Sequence, residues 1–211
     1  RFAYEKIPDL IITDVVMPKV DGLQLARKIK ADERTDHIPL IILTSRADDQ
    51  DKVNGLITGA DDYLSKPFNK EELLIRIKNL ISNRQKLQEK IRNSISYQPR
   101  HEKLVTTKNA FVKKVFTIIE QNVDNENFGV EMLAEEVNLS PSQLYRKLIA
   151  LTNLSTVQVI QNYRLDKAME LIRQDAGNIA EIAHQTGFKS PAYFTKCFKG
   201  KFGRVPSDFL V

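Results

Sequence analysis

Asp14, Thr44 and Lys66 are the residues of the N-terminal half whose types could do chemistry together. Each ends, or lies just beyond, a short apolar or β-branched run: Leu10-Ile11-Ile12-Thr13, Leu40-Ile41-Ile42-Leu43 and Asp62-Tyr63-Leu64-Ser65. Taken singly, each is a cap or a surface charge. At the ends of three successive strands they place a carboxylate, a hydroxyl and an ammonium group together. That set suits phosphoryl transfer, with the carboxylate as nucleophile and the other two stabilising phosphoryl oxygens.

A second chemistry is carried by a motif that occurs twice. Leu133-Ala134, then Ser140-Pro141-Ser142-Gln143-Leu144-Tyr145-Arg146-Lys147-Leu148, recurs as Ile182-Ala183, then Ser190-Pro191-Ala192-Tyr193-Phe194-Thr195-Lys196-Cys197-Phe198. In each copy a short helix leads through a turn to a Ser N-cap with Pro at the first helical position, which is a helix-turn-helix pattern. Leu144 and Leu148, or Phe194 and Phe198, face inward at i, i+4. Ser142, Gln143, Tyr145 and Arg146, or Ala192, Tyr193, Thr195 and Lys196, then face outward. An outward Arg can bond guanine edges bidentately, and residues near the helix N-terminus lie deepest in a major groove. The alternative for one copy is a plain helical hairpin; duplication favours DNA.

The elements that must position these groups follow from periodicity. Leu23, Ala26 and Ile29, then Val53, Leu56, Ile57 and Ala60, repeat at helical spacing between the strands. Asn69 and Glu72 form a capping-box pair opening a helix with Leu73, Leu74, Ile77, Leu80 and Ile81 inward. Alternating strands and helices predict an α/β fold with a doubly wound parallel sheet, whose chemistry sits at the carboxyl ends of the strands. Residues 84–106 are polar and read as a linker. Leu73, Ile77, Leu80, Leu87 and Ile91 keep a three- and four-residue spacing, so the last helix either extends as a weak dimer seam or faces a core and frays into a polar extension. The second half reads as all-α, with a long helix from about Ser155 to Arg173 acting as a strut. Two recognition helices held about 34 Å apart would enter successive major grooves on one face of DNA.

Composition narrows the class. The chain has 211 residues, 42% hydrophobic and 28% charged, as in ordinary globular proteins. No apolar run is long enough for a membrane span and the N-terminus lacks a signal-peptide core, so the expectation is a soluble, cytoplasmic chain without membrane contact. The single cysteine, Cys197, excludes an internal disulfide framework and reads as a packing residue. His37, His101 and His184 have no metal-ligand spacing. The net charge of +5 is unevenly spread: Glu120 to Glu136 holds six acids and no base, and Ile182 to Ser207 holds five bases and no acid. Lys199 and Lys201, in that basic stretch, are candidate phosphate contacts.

The run Ile11-Ile12-Thr13-Asp14-Val15-Val16-Met17-Pro18-Lys19-Val20-Asp21-Gly22, with Leu43-Thr44-Ser45 and Ser65-Lys66-Pro67-Phe68, resembles the receiver domain of two-component response regulators over residues 1–83. The resemblance implies that Asp14 accepts a phosphoryl group from a histidine kinase. Thr44 is then the switch hydroxyl, Tyr63 the switch aromatic and Lys66 the phosphate-pairing lysine, with Lys66-Pro67 cis. It also implies five strands, of which the first two have no counterpart here, so the receiver is expected to be partial and its first strand an unpaired edge. The acidic pair that helps hold Mg2+ goes with them. Asp14 and the Val16 backbone carbonyl remain as metal ligands, and Mg2+ binding is expected to be weak or absent in this chain.

Residues 107–211 resemble the AraC-type DNA-binding domain. The residues that carry the likeness are Ile179-Ala180-Glu181-Ile182-Ala183, Gly187-Phe188, Tyr193-Phe194, Phe198-Lys199-Gly200-Lys201-Phe202-Gly203 and Pro206-Ser207. Double-stranded DNA is the implied partner. Ser142, Tyr145 and Arg146 match base-reading positions of the first helix, and Ala192, Tyr193 and Lys196 those of the second. A receiver followed by such a domain resembles the C-terminal part of hybrid two-component regulators, with a histidine kinase domain in the same polypeptide and a homodimer left open. The rival is a phosphorelay or interaction module without sequence-specific DNA binding. No catalytic residue is assigned, although the parent polypeptide is expected to carry kinase activity upstream.

Overall fold

β-branched residues and leucines at the run after Pro39 build the centre of the first unit's sheet. The computed structural model describes residues 2–45, 59–96 and 110–210, in two units, 1–88 and 89–211. In the first unit, β1 (Ile11–Asp14), β2 (Leu40–Thr44) and β3 (Asp62–Ser65) are parallel in the order β1-β2-β3. Leu40, Ile41 and Ile42 of the central strand are fully buried, whereas Ile12 on the edge strand is 41% exposed. Helix α1 (Phe2–Lys6) precedes β1 and was not anticipated from the sequence. Helix α2 (Gly22–Ala31), capped by the Asp21 carboxylate on the Gln24 N–H, packs Ala26 and Ile29 against Leu40 and Ile42. Asp61 pairs with Lys30 at 2.7 Å and accepts the Leu40 N–H at 2.8 Å, tying the approach to β3 to the start of β2. The helix expected from Val53 to Ala60 falls largely outside the described residues.

Helix α3 (Lys70–Ser96) departs from expectation twice. Asn69 caps it through the Glu72 N–H at 2.6 Å, but the Glu72 carboxylate turns to Arg76 at 2.8 Å. Leu73, Ile77 and Leu80 are half-buried, while Leu74 and Ile81, read as inward, are exposed, so the buried stripe is narrower than the apolar pattern. The helix also continues to Ser96, well into the stretch read as a linker. Leu87 is half-exposed and Ile91 is buried in the second unit's core, so the stripe does not stay on one exposed face.

The second unit is helical: α4 (Ala110–Gln121), α5 (Val130–Glu136), α6 (Pro141–Thr152), α7 (Thr156–Arg173), α8 (Ile179–Gln185) and α9 (Pro191–Phe202), then a 3-10 turn at Pro206–Phe209. It has two apolar clusters that share α7. Val159, Ile160 and Tyr163 join the first, with Leu133, Leu144 and Leu148. Leu165, Ala168, Met169 and Ile172 join the second, with Ile182, Phe194 and Phe198. The expected strut is therefore a common wall of both helix-turn-helix cores. Reciprocal capping boxes fix the starts of α6, α7 and α8 at Ser140, Ser155 and Asn178. None of the described helices is long and apolar enough to cross a membrane.

Candidate functional site

The carboxyl ends of the three strands are laced by backbone hydrogen bonds. The Val15 N–H donates to Leu43 O at 2.9 Å and the Lys66 N–H to Thr44 O at 2.6 Å. Register puts Asp14 beside Leu43 and Thr44 beside Ser65, which brings Asp14, Thr44 and Lys66 to one end of the sheet. Lys66 Nζ donates to Asp14 Oδ2, and the Val16 N–H donates to Asp14 Oδ1 at 3.1 Å. The Lys66 bond first, and the Val16 N–H next, hold the Asp14 carboxyl below its ordinary pKa, favouring its anionic form. Gly22 is required beneath it: a Cβ there would lie 2.1 Å from Asp14 O. The Lys66-Pro67 bond is cis, as the receiver resemblance implies. Tyr63 is half-buried against the sheet core.

The same geometry bears on Mg2+. Both Asp14 oxygens are engaged, and among the described residues no group of three acidic, His or Cys side chains could hold a metal. Val16 contributes its N–H to Asp14. Asp14 supplies one carboxylate, and Mg2+ ordinarily takes one or two, with waters and phosphate oxygens completing a near-octahedral shell.

On α6, Ser142 is exposed and Tyr145 is 48% exposed, with Arg146 beside them half-buried. Gln143 is half-buried and also caps. Its side-chain oxygen accepts the Ser140 N–H at 3.0 Å while Ser140 Oγ accepts the Gln143 N–H at 3.3 Å, so it closes its own helix start. Lys147 turns inward, its ammonium 4.1 Å from the Phe111 ring centroid. On α9, Ala192, Tyr193, Lys196 and Lys199 are exposed. Lys201 corrects the sequence reading: its Nζ pairs with Asp166 at 2.7 Å and donates to Asn162 O at 2.9 Å, with the side chain 12% exposed. Its charge is engaged within the fold, beside α7, and is not offered to a phosphate.

Two residues of α7 were missed. Gln161 Nε2 donates to the Tyr193 hydroxyl at 3.2 Å and reaches Cys197 Sγ at 2.8 Å, and Arg164 is buried with Nη2 on Asn125 O at 2.7 Å. The only signal available was their spacing with Val157 and Ile160 along one stripe of α7.

Residues 2–78 match the response regulator receiver domain, and residues 133–210 match a helix-turn-helix domain. The chain joins a receiver domain to an AraC-type helix-turn-helix domain. Histidine kinase P4 of Formosa agariphila is 42% identical over 209 residues, covering 99% of this chain and 15% of that protein. The DNA-binding dual master transcriptional regulator RpaA of Synechocystis is 42% identical over 87 residues, 41% of this chain and 36% of its own length. The C-terminal domain of AraT, a response regulator from Geobacillus stearothermophilus, aligns at a TM-score of 0.46 with 26% identity, covering 49% of this chain and 86% of that one. The chain thus spans a minor part of both curated relatives.

Proposed function

We propose that Asp14 accepts a phosphoryl group from a histidine kinase domain and that α6 and α9 bind double-stranded DNA sequence-specifically, phosphorylation controlling transcription. The observation that carries the DNA reading is the doubled helix-turn-helix on a shared α7, with Tyr145 exposed on one of the two capped helices and Tyr193 on the other. The kinase that supplies Asp14 is placed in the same polypeptide, in keeping with the name of the relative that matches nearly all of this chain. In the transfer, an Asp14 oxygen bonds to phosphorus as the kinase's phosphohistidine P–N bond breaks, and the imidazole leaves. Lys66, already on Asp14, is placed to pair with the phosphoryl oxygens. The carboxylates that would hold Mg2+ are not among the described residues around Asp14.

The two helices divide the work of recognition. Arg146 reads base edges of the first half-site, with Ser142 and Tyr145 beside it. Ala192 has no reading group, so α9 grips phosphates through Lys196 and Lys199 and reads little sequence, with Tyr193 at its exposed edge. Arg146→Ala is expected to weaken binding to a selected operator by about 1–3 kcal/mol and leave random DNA nearly unchanged. Lys196→Ala is expected to weaken both alike and to reduce the salt slope by about 1. Gel shifts with operators selected from genomic fragments, repeated over a salt series, make the comparison. Failure to select any sequence would favour a phosphorelay or interaction module instead.

A further inference from the structure

The second helices of the two helix-turn-helix motifs spend their third residue differently. On α6 that residue is Gln143, whose side chain returns to the Ser140 N–H and closes the capping box. On α9 it is Tyr193, which cannot close one, and Ser190 caps the helix by a single bond from the Tyr193 N–H at 3.4 Å. The Tyr193 side chain is left for another use. Its ring lies 6.4 Å from that of Phe188, tilted by 51°, and the residue stays 54% exposed.

One side chain of α7 holds the tip of that ring. Gln161 Nε2 donates to the Tyr193 hydroxyl at 3.2 Å and lies 2.8 Å from Cys197 Sγ, one turn further along α9. An amide nitrogen carries two N–H donors, so a single group serves both. Tyr193 and Cys197 flank the stripe of Phe194 and Phe198 that packs α9 into its core, whereas Ala192, Lys196 and Lys199 form an exposed stripe. The bridge from α7 therefore reaches α9 at the border between its buried and exposed faces. The hydroxyl also hydrogen-bonds the Cys197 sulfur, the first cause of a raised Tyr193 pKa, so the phenol stays protonated and is a donor. Sulfur is a weak acceptor, and an anionic phosphate oxygen is a stronger one.

We propose that Gln161 is a positioning residue for DNA binding: from α7 it fixes the Tyr193 hydroxyl where it donates to a backbone phosphate beside Lys196. The Phe188 ring along its side and the Gln161 amide at its tip restrain the phenol, so its freedom is lost on folding and not on binding. On contact the O–H leaves the Cys197 sulfur for a phosphate oxygen, and the Gln161 N–H remains on a lone pair of the hydroxyl. Phosphate is the acceptor because Tyr193 stands at i, i+3 from Lys196, an exposed point charge, and hydroxyl and lysine groups together make backbone contacts. This role rests on the reading of α9 as a DNA-binding helix, to which it adds a residue of α7 that touches no DNA.

A double-mutant cycle separates this role from plain packing. Fluorescence anisotropy with an operator selected from genomic fragments, and with a random-sequence duplex, is measured for the 211-residue chain and for Gln161→Met, Tyr193→Phe and the double variant. Gln161→Met keeps the side-chain length and removes the donor; Tyr193→Phe keeps the ring and removes the hydroxyl. Tyr193→Phe is expected to weaken binding to both duplexes alike by about tenfold, the worth of one hydrogen bond to a charged group. Gln161→Met is expected to weaken it by a smaller factor, about threefold, and the double variant is expected to bind no worse than Tyr193→Phe alone. Neither neutral substitution should change the salt slope. With isotope-labelled tyrosine, Gln161→Met should shift the Tyr193 Cζ resonance at an unchanged melting temperature. Losses that multiply in the double variant, or an unmoved resonance, overturn the role of Gln161. A Tyr193→Phe loss confined to the operator overturns phosphate as the acceptor. An unmodified chain that binds neither duplex overturns the reading of α9 itself, an outcome distinct from binding with independent losses.

Discussion

Lys66 and Lys201 are both lysines beside an aspartate, and their surroundings give them opposite uses. Lys66 sits on an exposed Asp14 and depresses its pKa, chiefly through the hydrogen bond. A carboxyl with a depressed folded-state pKa adds stability above its unfolded value, and that contribution is lost as pH falls through the folded value. Lys66→Met is therefore expected to move the Asp14 titration upward, toward an ordinary carboxylate, in carbon-detected NMR; an unmoved midpoint would show that Lys66 does not set it. At the other pair, burial pushes the Asp166 pKa up and the Lys201 pKa down, against their mutual attraction. Desolvation outweighs the pairing on both sides, so the ion pair is a poor source of stability, but leaving one half alone is worse. Lys201→Met should lower the second unit's stability to urea by about 1–3 kcal/mol, the cost of an unsatisfied buried acceptor. Asp166→Leu combined with Lys201→Met should recover most of it. A stable single variant with a reduced salt slope for DNA would instead return Lys201 to the phosphate contacts.

Helix starts decide where the outward side chains of α6 and α9 point, and the two starts differ in quality. Ser140 has the full reciprocal box with Gln143, whereas Ser190 caps α9 by one bond, the Tyr193 N–H at 3.4 Å. Ser140→Ala is expected to cost about 1 kcal/mol in urea unfolding, with Ser140→Asp close to the original and Ser190→Ala costing less. A larger loss at Ser190 would contradict the ranking. These caps, the Pro that follows each and the i, i+4 apolar pairs were legible because they are local: sequence spacing alone places them. The strands around Asp14, Thr44 and Lys66 were legible for the same reason. Gln143 has a use beyond its sequence reading because an amide at the third helical position can cap the helix through its oxygen as well as face outward. Lys199 and Lys201 differ only in helical phase, and what Lys201 meets, Asp166, belongs to another helix. The extension of α3 past Arg84 was hidden because polar Gln, Lys and Glu residues suit a solvated helix as well as a linker.

The chain as a whole divides its apolar burial unevenly. The second unit has two clusters sharing α7, whereas the first has a single cluster centred on Ala26, Ile29, Leu40 and Ile42, beside an edge strand whose Ile12 is partly exposed. Among the described residues β1 pairs only with β2. An edge strand with few buried contacts opens locally at lower free energy than a helix buried between two cores. Amide exchange in the 211-residue chain should therefore show Ile11–Asp14 exchanging faster than Val159–Ile172 by at least about tenfold, equivalent to roughly 1.4 kcal/mol. Urea should correspondingly give two transitions, with the signals of the first unit lost before those of α7. Coincident exchange and one shared transition would mean that the units unfold as one body. The prediction matters for the proposed signalling, because a receiver that opens more readily than its DNA-binding partner can be ordered by whatever covers β1 without altering the core that holds α6 and α9. Adding a β1-covering segment from the longer relative, in cis, should slow exchange at Ile11–Asp14 and leave Val159–Ile172 unchanged.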